Sequence, residues 1–176
     1  VAKKVVAHAK AAEHMKNPPG AQPPADQLYP DTTFTDAWAM EIGDERISAK
    51  FYGRAHTSGD VAITFERANV VHMGDTYFNG LYPFIDTGAN GSVKGVIAAV
   101  DRVLALTDDT SKIIPGHGPL SNKAELKAYR EMLIKVNANV DALVKAKKTL
   151  AQVIAAKPTR DFDAKWGNGF LKPDQF

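Results

Sequence analysis

The stretch HTSGD, residues 56–60, has two counterparts further along the chain, HMGDT at residues 72–76 and IPGHG at residues 114–118. These three stretches decide the fold assignment. Each sets a histidine or an aspartate beside glycine, where an extended segment gives way to a turn, and polar residues in such turns can be aimed into a cleft. The pattern predicts that His56, Asp75 and His117 meet at one edge of a sheet.

Two imidazoles and a carboxylate form a ligand set that Zn²⁺ or Mn²⁺ prefers over Ca²⁺ or Mg²⁺. The chain has no cysteine, which excludes disulfides, zinc-thiolate clusters and a cysteine nucleophile. Taken singly, His56, Asp75 or His117 is more often an ordinary turn residue. Taken together, they predict a metal site.

Strand patterns precede the helical ones. Residues 32–73 contain short β-branched and aromatic runs, with turns expected at Gly43-Asp44 and at residues 66–69. A strand is expected to end at Met73, before Gly74. Helical spacing begins after Ser92, and Ser121 is expected to N-cap a second long helix. This order predicts an α+β layered fold, and 176 residues with 44% hydrophobic content suit one domain.

The net charge and the lengths of the apolar runs exclude two classes of partner, nucleic acids and membranes. The formal net charge is +2, which leaves no basic excess for a nucleic-acid backbone. No apolar run approaches the roughly 20 residues that span a bilayer, so we expect a soluble chain without membrane contact. A small-molecule substrate is the expected ligand.

The three motifs, in this order and separation, resemble the third, fourth and fifth motifs of the metallo-β-lactamase superfamily. The likeness extends through FNGLYPFIDTGANGSVKGVIAAVDRVLAL at residues 78–106 and KWGNGFLKPDQF at residues 165–176. It implies an αββα sandwich, of which this chain is mainly the C-terminal half, in a single domain over residues 1–176. It also implies hydrolysis of an ester, thioester, lactone or amide through a metal-bound hydroxide.

The resemblance assigns a role to each motif residue. His56 matches the third histidine of the first metal site, Asp75 the catalytic carboxylate that bridges both metals, and His117 the last ligand of the second site. One or two zinc ions are therefore implied. The family's His-x-His-x-Asp-His motif does not occur in these 176 residues. We expect an N-terminally truncated domain whose zinc binding is weak or absent and whose hydrolysis is impaired.

The other three histidines are weaker candidates. His8 and His14 are six residues apart, on different faces of a predicted helix, and are not expected to replace the missing ligands. His72 is expected to be a core or outward-facing residue, because neighbours on a strand point to opposite faces.

Residues after Asp75 could line a substrate pocket. Phe78, Asn79 and Tyr82 are assigned to substrate binding, with Phe84 beside them, although core aromatics and a plain Asn-Gly turn fit equally. Asp60 is expected to orient either His56 or an adjacent loop, and a solvated turn residue fits equally. Trp166 and Phe170 are expected to hold the tail against the body.

An alternative function belongs to a different class. A half-sandwich without its metal ligands leaves an apolar sheet face and strand edges uncovered. The chain would then be a non-catalytic half-domain that associates with itself, with a partner or with a missing N-terminal fragment. The resemblance suggests a bacterial protein, and both periplasm and cytoplasm remain open.

Overall fold

The computed structural model describes residues 4–18 and 21–176. Its N-terminal part consists of two short parallel strands and one helix. Its elements are β1 (Val6–His8), α1 (Ala9–Lys16) and β2 (Thr32–Phe34). His8 ends β1 and caps α1, since its Nδ1 accepts the backbone N–H of Lys10 at 3.3 Å. His8 therefore precedes the helix, and the prediction that placed it with His14 on one helix is wrong.

A six-stranded sheet forms the main body of the described chain. Antiparallel pairing connects neighbouring strands except for β6 and β7, which run parallel. Both predicted hairpins are confirmed, with Gly43 at φ +62° in the first turn and Asn69 at φ +52° in the second. In spatial order the strands are β3 (Ala37–Ile42), β4 (Glu45–Lys50), β5 (Ala62–Phe65), β6 (Val70–Phe78), β7 (Lys112–His117) and β8 (Ser121–Asn122).

Two long helices cover one face of this sheet, α2 (Val93–Leu106) and α3 (Lys123–Lys145). The helix α2 begins after Ser92, as predicted, and the Ser92 side chain caps it. The cap of α3 is Asn122, whose side chain accepts the N–H of Glu125, so the assignment of Ser121 as that cap is wrong. Ser121 lies in β8, where its hydroxyl bonds to Tyr77 and Glu125. The chain continues through α4 (Leu150–Ala155) and α5 (Asp163–Trp166).

The core lies between the sheet and these two helices. Each fully buried aliphatic side chain contributes about 1.5–3 kcal/mol by leaving water. Trp166 joins the same cluster, which confirms that it holds the tail to the body. The packing therefore gives rigid support to the ends of β6 and β7. Fully buried members include Met73, Val96, Val100, Val103, Ile113, Leu126, Met132 and Leu133.

The opposite face of the sheet, here called the open face, is also apolar. Strand register places one row of side chains across β3 to β6 and a second row across β3 to β7. Every member except Ala49 keeps part of its surface exposed. The first row is Met40, Ile47, Phe65 and Val70, and the second is Trp38, Ala49, Ile63, His72 and Ile114.

Candidate metal centre

The loop between β4 and β5 carries His56, and the HTSGD turn is closed by its own side chains. Asp60 accepts hydrogen bonds from the backbone N–H of Thr57 at 2.5 Å and from its hydroxyl at 3.1 Å. Asp60 thus shapes the loop rather than contacting the His56 ring. The ring is held from another direction, by a 2.7 Å hydrogen bond between Nδ1 and the carbonyl oxygen of Phe84. This bond leaves Nε2 as the free ring nitrogen.

Asp75 lies within β6 and not after it. The predicted strand end at Met73 is wrong, because β6 continues to Phe78 through an irregular register at Gly74. Gly74 has φ +50°, a conformation that glycine adopts without steric cost. Its N–H is satisfied by Nδ1 of His72 at 3.0 Å. The irregularity leaves the Asp75 side chain 39% exposed at the sheet edge.

His117 is the last residue of β7, the strand parallel to β6. The two glycines beside it have separate roles. A Cβ on Gly116 would lie 2.1 Å from Oδ1 of Asp75, so glycine makes room for that carboxylate. Gly118 turns the chain at φ +96°, where a Cβ would lie 2.2 Å from the carbonyl oxygen of Asn79. The PGHG motif is therefore a point where β7 and the chain after it approach β6 closely.

Asp75 stands between the two histidines. Its Oδ2 is 3.6 Å from Nε2 of His56, and its Oδ1 is 3.4 Å from Nε2 of His117. A tetrahedral zinc ion bonds nitrogen and oxygen ligands at about 2.1 Å, which separates two such ligands by about 3.4 Å. Each pair therefore has the spacing of neighbouring ligands of one ion, and the residues present fit zinc.

Neither pair is a complete metal site. Within residues 4–18 and 21–176, no three histidine, cysteine, aspartate or glutamate side chains are grouped so as to hold one ion. This absence agrees with the measured distances, because His56, Asp75 and His117 form two pairs that share Asp75 and no group of three around one point. A catalytic zinc has three protein ligands plus water, and a structural zinc has four. Each pair supplies two.

The pocket residues predicted from the sequence have unequal positions. Phe78 lies beneath the donors, with its ring stacked on His117 at 4.7 Å and 6.5 Å from the His56 ring. The Asn79 amide donates to the carbonyl oxygen of Pro119 and to Glu125, both at 3.2 Å. Its backbone N–H donates to the carbonyl oxygen of His117 at 2.9 Å. Asn79 thus fixes the strand end that carries His117.

Tyr82 is buried away from the donors, with its hydroxyl used inside the protein. It donates to Asp163 at 2.8 Å and to the carbonyl oxygen of Thr159 at 3.2 Å. Burial, followed by the hydrogen bond and charge of Asp163, raises the pKa of the Tyr82 phenol. Its role in substrate binding stays a prediction, and any such role is indirect.

The remaining histidines have structural contacts. The buried His8 bonds to the carbonyl oxygen of Thr35 at 3.1 Å and stacks on Phe51. His14 approaches the hydroxyl of Ser58 at 3.4 Å and so touches the loop that carries His56.

Sequence analysis missed one aromatic residue beside the donors. Phe170 was expected only to hold the tail, yet its ring lies 6.1 Å from the rings of both Phe78 and His117. It is 58% exposed. The tail has no clear period, so nothing in the sequence indicated this position.

A family model described as the metallo-beta-lactamase superfamily matches residues 2–117, more than half of the 176 residues. The matched range includes all three candidate ligands and ends on His117. The chain belongs to the metallo-β-lactamase superfamily. No curated protein sequence is similar enough to the chain to count as a match.

Solved structures of this superfamily share the fold. A metallo-beta-lactamase from Pontibacter korlensis has 20% identity and a TM-score of 0.60, over 74% of this chain and 57% of that one. The B3 metallo-beta-lactamase BLEG-1 has 21% identity and a TM-score of 0.59, over 74% and 65%. The sec-alkylsulfatase Pisa1 from Pseudomonas sp. has 16% identity and a TM-score of 0.57, over 73% and 22%.

At these identities the likeness shows the fold alone, and it confirms the predicted α+β metallo-β-lactamase sandwich. The chain spans only 57% to 65% of the two metallo-beta-lactamases named above. Among the described residues, none of the helices has the length and apolar character needed to span a bilayer.

Proposed function

We propose that this chain contributes His56, Asp75 and His117 to the zinc site of a metallo-β-lactamase-fold hydrolase acting on an ester, thioester, lactone or amide. The observation that carries the proposal is the position of Asp75, whose two oxygens face the Nε2 atoms of different histidines. A bidentate carboxylate in this position is suited to join two ions. When bound, zinc supplies a Lewis acid and lowers the pKa of a coordinated water to about 7.

The residues of this chain orient the donors. The Phe84 carbonyl fixes the His56 ring so that Nε2 points toward Asp75. Gly116 gives the Asp75 carboxylate its space. The Phe78 ring excludes water from beneath His117. Fixed ligand rings raise metal affinity because less freedom is lost on binding.

We also propose that these three donors need further ligands for turnover. With two protein donors per ion, residues 1–176 alone bind zinc weakly and hydrolyse little. The His-x-His-x-Asp-His segment of the fold would complete both sites. We name the chemical class of the substrate and no single compound, because the same fold and metal arrangement can catalyse different reactions.

The test measures zinc binding and hydrolysis separately. Zinc is titrated into the chain while histidine ring signals are followed by NMR, and His56→Ala, Asp75→Asn and His117→Ala are compared with wild type. We expect each to weaken binding at least about tenfold, the loss that even outer-shell changes produce. His14→Gln is the matched control, since it removes an imidazole outside the pairs and keeps a polar group beside Ser58.

Two results would overturn the proposal. Equal zinc affinity of the wild type and the three variants would show that His56, Asp75 and His117 do not bind zinc. Zinc-dependent turnover by residues 1–176, equal to that of a version supplied with the His-x-His-x-Asp-His segment, would remove the need for further ligands.

Residues 1–176 are proposed to fold as one domain. A continuous core cluster supports this, since it runs from Ala55 in the loop after β4 to Trp166 in α5. Urea unfolding followed by Trp fluorescence and by far-UV circular dichroism should give coincident transitions. Two separated transitions would contradict it.

The open face supports a second candidate, a non-catalytic half-domain that binds a second copy of itself. Two apolar rows cross the sheet there, and Met40 remains 38% exposed and Ile42 56% exposed. Exposed apolar area of this extent marks an interaction surface. Size-exclusion chromatography with light scattering tests it, because a monomer at all concentrations would exclude this candidate and a metal-independent dimer would favour it.

A further inference from the structure

Phe84 separates the candidate metal centre from a cavity. Its ring centroid lies 5.8 Å from that of His56, and its carbonyl oxygen bonds to the same histidine. The residue also lines a cavity of about 310 Å³, here called the side cavity. Its side chain is 45% exposed. Phe84 therefore forms a wall shared by the donors and the side cavity.

The C-terminal segment, residues 170–176, contributes another wall of the side cavity. Phe170 approaches His117, while the next residue, Leu171, lines the side cavity together with Phe176. The Phe176 ring stacks on Tyr82 at 4.5 Å. Tyr82, assigned to substrate binding from the sequence, thus acts as a positioning residue that holds this wall.

The chemistry of the side cavity is apolar. No ionisable side chain is among the described residues that line it, and its volume is within the range of small-molecule sites. Two large aromatics, Phe84 and Phe170, remain exposed beside the polar donors, where an apolar ligand could contact them. The full lining is Pro83, Phe84, Ile85, Thr87, Gly91, Ser92, Val93, Leu171, Gln175 and Phe176.

We propose that the side cavity binds the uncharged, medium-length acyl chain of the substrate, an inference that rests on the proposed function. The bond to be hydrolysed would then lie near Asp75, with the chain directed past Phe84. Hydrolysis adds water across the acyl bond: hydroxide joins the carbonyl carbon and the leaving alcohol, thiol or amine takes a proton. The product is a carboxylate whose chain still occupies the cavity.

Product carboxylates are therefore suitable probes, and they need neither metal nor turnover. Butyrate, hexanoate, octanoate and decanoate are titrated into metal-free protein by calorimetry, with ligand-observed NMR as a second readout. We expect binding to tighten about two- to fourfold for each added methylene, as burial of apolar surface requires. Phe84→Ala and Leu171→Ala should each weaken octanoate binding about five- to tenfold.

Leu150→Ala is the matched control, because Leu150 is 76% exposed on α4 and lies outside the cavity lining. Thermal unfolding of all variants checks the fold. Affinity independent of chain length, or equal losses in Leu150→Ala and Leu171→Ala, would overturn the inference. Once the chain is supplied with the His-x-His-x-Asp-His segment, zinc-dependent hydrolysis indifferent to acyl length would overturn the inference while leaving the proposed function intact. Length-dependent binding without any zinc binding would overturn only the proposed function.

Discussion

Gly116 lies so close to Asp75 that a Cβ at residue 116 would be 2.1 Å from Oδ1 of that carboxylate. The contact brings the end of β7 against the Asp75 carboxylate, which lies within the parallel strand β6 and between the two histidines. Glycine at this site is thus a steric requirement of the donor arrangement. A direct mutational test follows.

Gly116→Ala should displace the Asp75 carboxylate and weaken zinc binding about ten- to a hundredfold, as changes around metal ligands do. Zinc titration followed by NMR of the histidine rings measures the effect. Gly43→Ala is the control: its φ of +62° makes alanine strained, but a Cβ there meets no atom within 4 Å. The control should lower stability and leave zinc affinity unchanged. The same loss of affinity in both variants would contradict the steric argument.

Asn79→Ala should lower the free energy of unfolding by about 1–3 kcal/mol, because it leaves the Pro119 carbonyl without its side-chain donor and the Glu125 carboxylate with Ser121 alone. Urea denaturation measures this change. Asn168→Ala removes one exposed amide hydrogen bond and should cost little by comparison. An Asn79→Ala protein of unchanged stability, with a raised KM once the site is completed, would instead support the substrate-binding role predicted from the sequence.

Stability should decline at alkaline pH because burial raises the pKa values of three tyrosines, Tyr77, Tyr82 and Tyr129. Tyrosine in an unfolded chain ionises near about pH 10. Burial raises the pKa of Tyr77 to about 12 despite the hydrogen bond with Ser121, and burial and Asp163 raise that of Tyr82. The folded state holds these protons more tightly, so their stabilisation is complete below about pH 10 and is lost as pH rises toward about 12.

Urea unfolding at several pH values above about pH 9 would measure this decline. Tyr77→Phe and Tyr82→Phe should each make it shallower, since each removes one of the three buried ionising groups and Tyr129 remains. Slopes identical to wild type in both variants would show that neither phenol is responsible.

Phe65→Lys should reduce self-association at least about tenfold, because it places a charge in the first apolar row of the open face. Analytical ultracentrifugation over a range of protein concentrations gives the comparison. Glu41→Lys is the control, since its side chain faces the other side of β3, where it forms an exposed ion pair with Arg46. Such a pair contributes little to stability. Equal dimer dissociation constants for Phe65→Lys and wild type would show that the open face is not the surface of self-association.

Local sequence signals predicted much of the fold. The two hairpins and the start of α2 after Ser92 follow from turn chemistry and from helical periodicity, whose effects reach only a few residues. The assignments that failed needed distant partners. Ser121 is a plausible cap by itself, but its hydroxyl bonds to Tyr77, which is 44 residues away. The strand through Asp75 continues past a glycine because β7 pairs with it on the far side.

The sequence by itself determined the residue types that could bind metal, His56, Asp75 and His117, since ligand chemistry resides in the side chains and their motifs are local. Only the tertiary structure decided that Asp75 lies between the two histidines, that Gly116 makes its position possible, and that Phe84 and Phe170 flank the donors. The physical reason is that strand register and core packing bring together residues far apart in the chain. No local periodicity encodes those distances.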